Sequence, residues 1–170
     1  MAELSQNVFE ALRRDQEFVL YRGLSIDEAS KILVLSPVTA NPRPESLRRL
    51  ENEYSLREAL DPAWASRPIA MAYHADRPVL VLEDPGGVLL DRLLSGPFDL
   101  ARSLRLAIGL SSVIQRSHQR GIIHKDVKPS NVLADSVTGQ CWLTGFGIAS
   151  QLPRERQSAK PPEFLAGTLA

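Results

Sequence analysis

The stretch HKDVKPSN at 124–131 decides the fold, because it sets three polar side chains at fixed spacing: Asp126, Lys128 and Asn131. A carboxylate can orient an attacking hydroxyl, an ammonium group can approach a transferred phosphoryl group, and an amide oxygen can ligate magnesium. Phosphoryl transfer needs all three together, since positioning and charge neutralisation supply most of its catalysis. The spacing therefore predicts Asp126 and Lys128 as catalytic residues and Asn131 as a metal ligand.

Composition narrows the class of protein around this motif. The 170 residues are 44% hydrophobic, enough for one sizeable core, and 20 basic residues balance 20 acidic ones. A net charge of zero gives no reason to expect nucleic-acid binding. The single cysteine excludes an internal disulfide, the charged N-terminus does not resemble a signal peptide, and no apolar run approaches the roughly 20 residues that span a bilayer. We expect a cytoplasmic protein without membrane insertion.

The segment before the motif reads as a small, strand-rich unit. Apolar runs at 17–23 and 31–38 predict a hairpin, and those at 69–74 and 78–83 predict a second strand pair. Between them, leucines at helical spacing after Pro44 predict a helix. The turn sequence DPGG at 84–87 then marks a linker.

After the linker, the pattern predicts a short amphipathic segment and a long helix from about Leu100 to Arg120, stopped by Gly121. The order of elements is α+β, with a cleft at the linker. The stripe of the long helix that we expect to be buried comprises Leu104, Ala107, Ile108, Ser111, Ile114 and His118.

HKDVKPSN resembles the catalytic loop HRD-L-K-P-x-N of the eukaryotic-type serine/threonine protein kinase family, and it follows a similar helix and GII lead-in. The resemblance implies a protein-kinase-like fold. It places a small β-rich lobe at 1–84 and, at 85–170, part of a helical large lobe whose C-terminal helices are absent. It also implies ATP and magnesium as cofactors.

Three further positions take a role from the resemblance. Glu53 lies where the family's regulatory helix carries the glutamate that pairs with a strand lysine, although a charge on a solvated helix face is an equally good interpretation. Glu83 ends the last strand of the small lobe, and with Glu53 and Asn131 it is assigned to cofactor binding. Phe146 and Gly147 match the last two letters of the family's DFG motif, and AGTLA at 166–170 matches the end of an activation segment.

The departures from the family concentrate on nucleotide binding. The stretch 20–34, expected to hold a G-x-G-x-x-G loop, contains only Gly23, and no cation lies at Leu35 or Ser36, where the strand lysine belongs. Pro85 at the hinge has no N–H for an adenine ring. Gly145 replaces the DFG aspartate, so its side chain cannot ligate a metal ion. These losses predict a pseudokinase.

The text LTGFGIASQLPRERQ followed by PPEFLAGTLA also resembles the N-terminal kinase-like domain of large bacterial hybrid sensor histidine kinases, which carry AAA-type ATPase and GAF regions. This implies a protein partner, or the downstream ATPase or histidine kinase region, as the binding partner. Three functions stay open: a catalytically impaired regulatory domain, an active serine/threonine kinase that recruits an unidentified cation, and a non-functional truncated fragment.

Overall fold

The computed structural model describes residues 9–24, 31–96 and 99–152. The AGTLA match at 166–170 and the PRERQ stretch at 153–157 lie outside the described residues. Across the part of the chain that is described, no helix has both the length and the apolar character needed to cross a membrane.

The first half of the chain forms a five-stranded antiparallel sheet in the order β1-β2-β3-β5-β4. The predicted hairpin is β2–β3, with Leu20 opposite Leu35, and the predicted second pair is β4–β5. Both predictions are confirmed. The strands are β1 (Glu10–Arg14), β2 (Phe18–Leu24), β3 (Lys31–Pro37), β4 (Pro68–His74) and β5 (Arg77–Glu83).

One helix, α1 (Pro44–Ser55), packs against β4 and β5. Proline suits its first turn because the N–H that proline lacks has no partner within the helix there. The helix ends at Ser55, and the following turn still buries Leu56 and Leu60. The predicted helix is therefore confirmed, with an earlier end than the leucine spacing indicated.

The second half contains a long helix and short strands around the catalytic loop. The Asp99 side chain caps the N-terminus of the long helix by accepting a hydrogen bond from the Arg102 amide at 2.7 Å, and Gly121 follows its end with a φ of +73°. The elements are β6 (Val88–Leu89), α2 (Leu90–Leu93), α3 (Leu100–Gln119), β7 (Ile122–Ile123), β8 (Val132–Ala134), β9 (Cys141–Leu143) and β10 (Ser150–Gln151).

The buried face of α3 differs from the predicted one. Leu106, Val113 and Ser117 are buried, whereas Ile108 is 70% exposed and His118 is also exposed. The helix has two apolar stripes, and the Leu106 stripe faces the core. Glycine at 109 permits this packing, because an added Cβ there would come within 1.9 Å of the Gly139 carbonyl oxygen.

The hydrophobic core is shared between the two halves. One cluster combines sheet residues such as Leu33 and Leu80 with Leu133 and Trp142 from β8 and β9. A second cluster places Trp64, which precedes the linker, beside residues of the second half. The sheet is therefore fixed over β8 and β9, and a cleft remains between the β1–β2 edge and the catalytic loop.

Candidate active-site cleft

A cavity of about 530 Å³ lies between the β1–β2 edge, α1 and the catalytic loop. Leu35 of β3 and Glu53 of α1 line one side, and Asp126, Lys128 and Asn131 line the other. The catalytic-loop residues that the sequence predicted to be functional therefore line this cavity.

The structure brings Asp126, Lys128 and Asn131 together. The Lys128 ammonium lies 2.9 Å from Asp126 Oδ2, and Asn131 Nδ2 donates to the same oxygen at 3.0 Å. Asn131 Nδ2 also lies 2.8 Å from the Asp126 carbonyl oxygen. The short 3₁₀ turn Pro129–Asn131 holds this spacing, and Asn131 is buried.

His124 supports the loop from beneath. Its ring is buried, Nε2 lies 3.1 Å from the Thr144 carbonyl oxygen, and Nδ1 accepts from the Asp126 amide at 3.2 Å. These partners require a neutral ring protonated on Nε2. Burial is the main cause that lowers the pKa of His124, which agrees with that tautomer. Sequence matching found this residue but assigned it no role.

Gly145 has a φ of +82°, and a Cβ added there would meet Asn131 Oδ1 at 2.9 Å. The backbone conformation and the adjacent amide therefore both favour glycine at this position. The missing carboxylate is thus accompanied by a backbone arrangement that leaves little room for a side chain.

Glu53 is buried, so the interpretation as a charge on a solvated helix face is wrong. Its carboxylate lies near the amides of Phe146 and Gly145 and near the Arg13 charge, but neither oxygen has a hydrogen-bond partner of good geometry among the described residues. Desolvation outweighs these neighbours and raises the pKa of Glu53 to about 7. Its predicted part in cofactor binding stays a prediction.

A cation of β1 lines the cavity, whereas Lys31 of β3 is exposed and does not line it. Arg13 lines the cavity, and its Nη1 donates a hydrogen bond to Asn131 Oδ1, 118 residues away in the chain. The strand register shifts between Ala11 and Arg13, so Leu12 is an extra residue in the β1–β2 ladder. Such a bulge redirects the side chain that follows it. Sequence analysis missed Arg13 because simple alternation along a strand does not reveal a bulge.

The cover of the cavity is the turn at residues 15–17, between β1 and β2, and it contains no glycine. The stretch 20–34, where the glycine-rich loop was expected, supplies parts of β2 and β3 in its described residues. Asp15 Oδ1 closes the turn by accepting from the amides of Glu17 and Phe18, both at 2.8 Å. Glu17 then accepts from Arg43, Arg49 and Ser46 of the α1 region, at 3.2, 2.5 and 3.2 Å.

A second arginine, Arg22, contacts the linker at 84–87. Arg22 of β2 makes a two-pronged pair with Asp84, at 2.6 and 3.0 Å, and donates to the Gly87 carbonyl oxygen at 3.1 Å. The Gly86 amide donates to Asp84 Oδ1 at 2.9 Å, and Pro85 has no amide hydrogen to offer. Polar groups that a purine could use are therefore already paired within the chain.

Glu83 does not reach the cavity. Its carboxylate pairs with Arg67 at 2.5 Å, and the pair is partly exposed. Its assignment to cofactor binding stays a prediction. Asn52, which the sequence did not single out, holds the altered DFG segment by donating to the carbonyl oxygens of Gly147 at 3.2 Å and Ala149 at 3.0 Å.

The donor set does not fit a magnesium ion. Magnesium takes carboxylate oxygens and an octahedral shell at about 2.1 Å, but here one carboxylate is paired with Lys128 and the amide oxygen with Arg13. Among residues 9–24, 31–96 and 99–152, no three His, Cys, Asp or Glu side chains are grouped as metal ligands. The arrangement can still orient a hydroxyl group at Asp126.

A five-stranded sheet with one helix, joined by a short linker to a catalytic loop of Asp, Lys and Asn, defines a protein-kinase-like architecture. A family model described as "Protein kinase domain" matches residues 28–169. The chain belongs to the protein kinase domain family.

Several serine/threonine kinases are similar to the chain. Serine/threonine-protein kinase PknB of Mycobacterium tuberculosis is 32% identical over 93 residues, which cover 54% of this chain and 15% of that protein. Aurora kinase A-A of Xenopus laevis is 28% identical over 172 residues, covering 96% and 39%. Serine/threonine-protein kinase mos of Patiria pectinifera is 31% identical over 104 residues, covering 60% and 27%. The matched part is less than half the length of each relative.

Proposed function

We propose that this chain is a catalytically impaired protein-kinase domain, a pseudokinase, which regulates a signalling protein from the cytoplasm. The observation that carries the proposal is the state of the metal position. Gly145 supplies no ligand, and Arg13 donates to the Asn131 oxygen that would supply one. Metal-assisted neutralisation of the phosphates is a large part of kinase catalysis, so its loss reduces turnover by orders of magnitude.

The linker supports the same conclusion. Arg22 engages Asp84 and the Gly87 carbonyl oxygen, and the Gly86 amide is turned towards Asp84. A nucleotide base would have to break these bonds before making its own, and unmade buried hydrogen bonds cost about 1–3 kcal/mol each. We infer that the domain acts by contacting a partner protein, or a downstream ATPase or histidine kinase region of a two-component signalling protein.

A phosphorylation assay tests the proposal. Purified chain is incubated with γ-labelled ATP, magnesium and a mixed basic protein substrate, beside the Asp126→Asn variant. The expected result is equal, background labelling of both samples. Labelling by the wild type that Asp126→Asn abolishes would overturn the proposal.

An active serine/threonine kinase is the second candidate, because Lys128 and Asn131 both contact the Asp126 carboxylate, at 2.9 and 3.0 Å. In that case Mg-ATP binds the folded state and must raise the melting temperature by mass action. The pseudokinase proposal predicts no shift at millimolar Mg-ATP. A non-functional fragment, the third candidate, would show no cooperative melting transition.

A further inference from the structure

Arg13 occupies an unusual place for a residue on the edge strand of a sheet. The bulge at Leu12 directs it into the cavity, and its Nη1 reaches Asn131 Oδ1. The amide nitrogen of Asn131 is committed to Asp126. Both ends of this amide are therefore held, one by the catalytic loop itself and the other by β1.

Four carboxylates lie close enough to Arg13 to favour its charge. Burial is the largest influence and lowers the pKa of Arg13, whereas the carboxylates of Asp15, Glu53, Asp126 and Asp91 oppose this shift. Three of these, Asp15, Glu53 and Asp126, line the same cavity. A guanidinium among carboxylates neutralises their mutual repulsion, as a divalent ion would.

We propose that Arg13 is an internal cation that takes the place of a divalent metal at Asn131, so that the cleft keeps its arrangement without metal and excludes Mg²⁺ and Mn²⁺. The inference deepens the proposed function and rests on the same site. Two cations that share one amide oxygen repel each other strongly in a partly buried cleft, so the guanidinium and the metal ion compete. Arg13 is thus a positioning residue that acts through Asn131.

Binding of Mn²⁺ to the full chain tests this directly, because the electron paramagnetic resonance signal of free Mn²⁺ reports binding without any catalysis. Mn²⁺ prefers the same carboxylate and carbonyl ligands as Mg²⁺. Four proteins are titrated: the wild type, Arg13→Gln, Gly145→Asp and the double variant Arg13→Gln/Gly145→Asp. Aspartate tolerates a positive φ better than most residues. The 2.9 Å contact of its Cβ with Asn131 Oδ1 is common to both variants that carry it, so it does not affect their comparison.

The expected result is that the wild type and Gly145→Asp bind Mn²⁺ weakly, whereas the double variant binds at least about tenfold more tightly than Gly145→Asp alone, the factor associated with one charged hydrogen bond. Equal affinities of Gly145→Asp and the double variant would overturn the proposal. So would a double variant that fails to bind, or a wild type that binds as tightly as the double variant.

The matched control is Arg14→Gln/Gly145→Asp, because Arg14 is the exposed neighbour of Arg13 on the same strand. It should bind Mn²⁺ no better than Gly145→Asp. Melting followed by circular dichroism verifies that each variant is folded, and Arg13→Met, which keeps an apolar stem, replaces Arg13→Gln if the latter does not fold. Phosphorylation by a wild type that excludes Mn²⁺ would overturn the proposed function and leave this inference standing.

Discussion

Arg22 and Asp84 form a two-pronged ion pair, at 2.6 and 3.0 Å, in which the carboxylate is fully buried. The pair joins the second strand of the sheet to the linker. Because the Asp84 side chain has no access to water, its charge depends on Arg22 and on the Gly86 amide.

Removal of one partner of this pair should destabilise the fold strongly. Arg22→Ala leaves a buried carboxylate without its counter-charge, which costs about 3–5 kcal/mol of the free energy of unfolding. Urea denaturation measures the change. Arg48→Ala is the control, since Arg48 pairs with Glu45 on an exposed helix face and should cost less than about 0.5 kcal/mol. Equal losses for Arg22→Ala and Arg48→Ala would contradict the assignment.

Glu53 should make stability depend on pH. Burial raises the pKa of Glu53 from 4.5 to about 7, so the folded state binds this proton more tightly than the unfolded state does. Its contribution to the free energy of unfolding is fully present below pH 4.5 and is lost as pH rises to about 7. Glu53→Gln, which does not titrate, should gain stability over the wild type across this range, by an amount on the order of 3 kcal/mol at pH 8.

The measurement is the difference between the wild-type and Glu53→Gln unfolding free energies from pH 5 to 8. Burial also lowers the pKa of His124, which reduces stability as pH falls, but this contribution is common to both proteins and cancels in the difference. Glu51→Gln changes an exposed residue of the same helix and should give a difference that does not vary with pH. A flat curve for Glu53→Gln would sink the prediction.

Gly145 should tolerate a side chain less well than Gly86 or Gly96. Gly145→Ala combines the left-handed backbone, which costs about 1–2 kcal/mol, with a contact of 2.9 Å to Asn131. Gly86→Ala shares the positive φ but meets no atom within 4 Å, so it isolates the backbone cost, and Gly96→Ala lacks both penalties. Thermal melting should rank the losses as Gly145 above Gly86 above Gly96. Any other order would show that the cleft adapts to a Cβ.

The orientation of α3 gives a fourth prediction. Leu106→Ala should cost about 2–5 kcal/mol because it opens a cavity in the core. Ile108→Ala, two positions away and exposed, should change the free energy of unfolding by less than about 0.5 kcal/mol. Chemical denaturation of both variants checks the helix face. A larger loss at Ile108 would restore the stripe predicted from the sequence.

The sequence predicted those parts of the molecule whose cause is local. The catalytic loop compresses Asp126, Lys128 and Asn131 into six residues, so their proximity follows from chain connectivity. Strands β2 to β5 follow from runs of apolar residues bounded by turns, and α1 from its leucine spacing. The absence of a side chain at Gly145 is a property of the sequence itself.

The missed features depend on contacts between distant segments. Arg13 reaches Asn131 across 118 positions through a bulge, and a bulge leaves no trace in an alternating pattern. The buried face of α3 includes a close approach between Gly109 and Gly139, which only glycine at 109 permits. The turn between β1 and β2 covers the cleft, whereas the glycine-rich loop was expected after β2. Strand β1 was missed because it is short and carries two arginines, which are not typical of a strand.

The two hydrophobic clusters that cross the 84–87 linker have a consequence for proteolysis. A cut in this half-buried linker would separate the chain chemically but would not release two folded pieces, since Leu133 and Trp142 pack among residues of the sheet. The nicked halves should stay associated through a gel-filtration column and separate only in denaturant. The linker divides the polypeptide in sequence, whereas cooperative unfolding involves both sides at once.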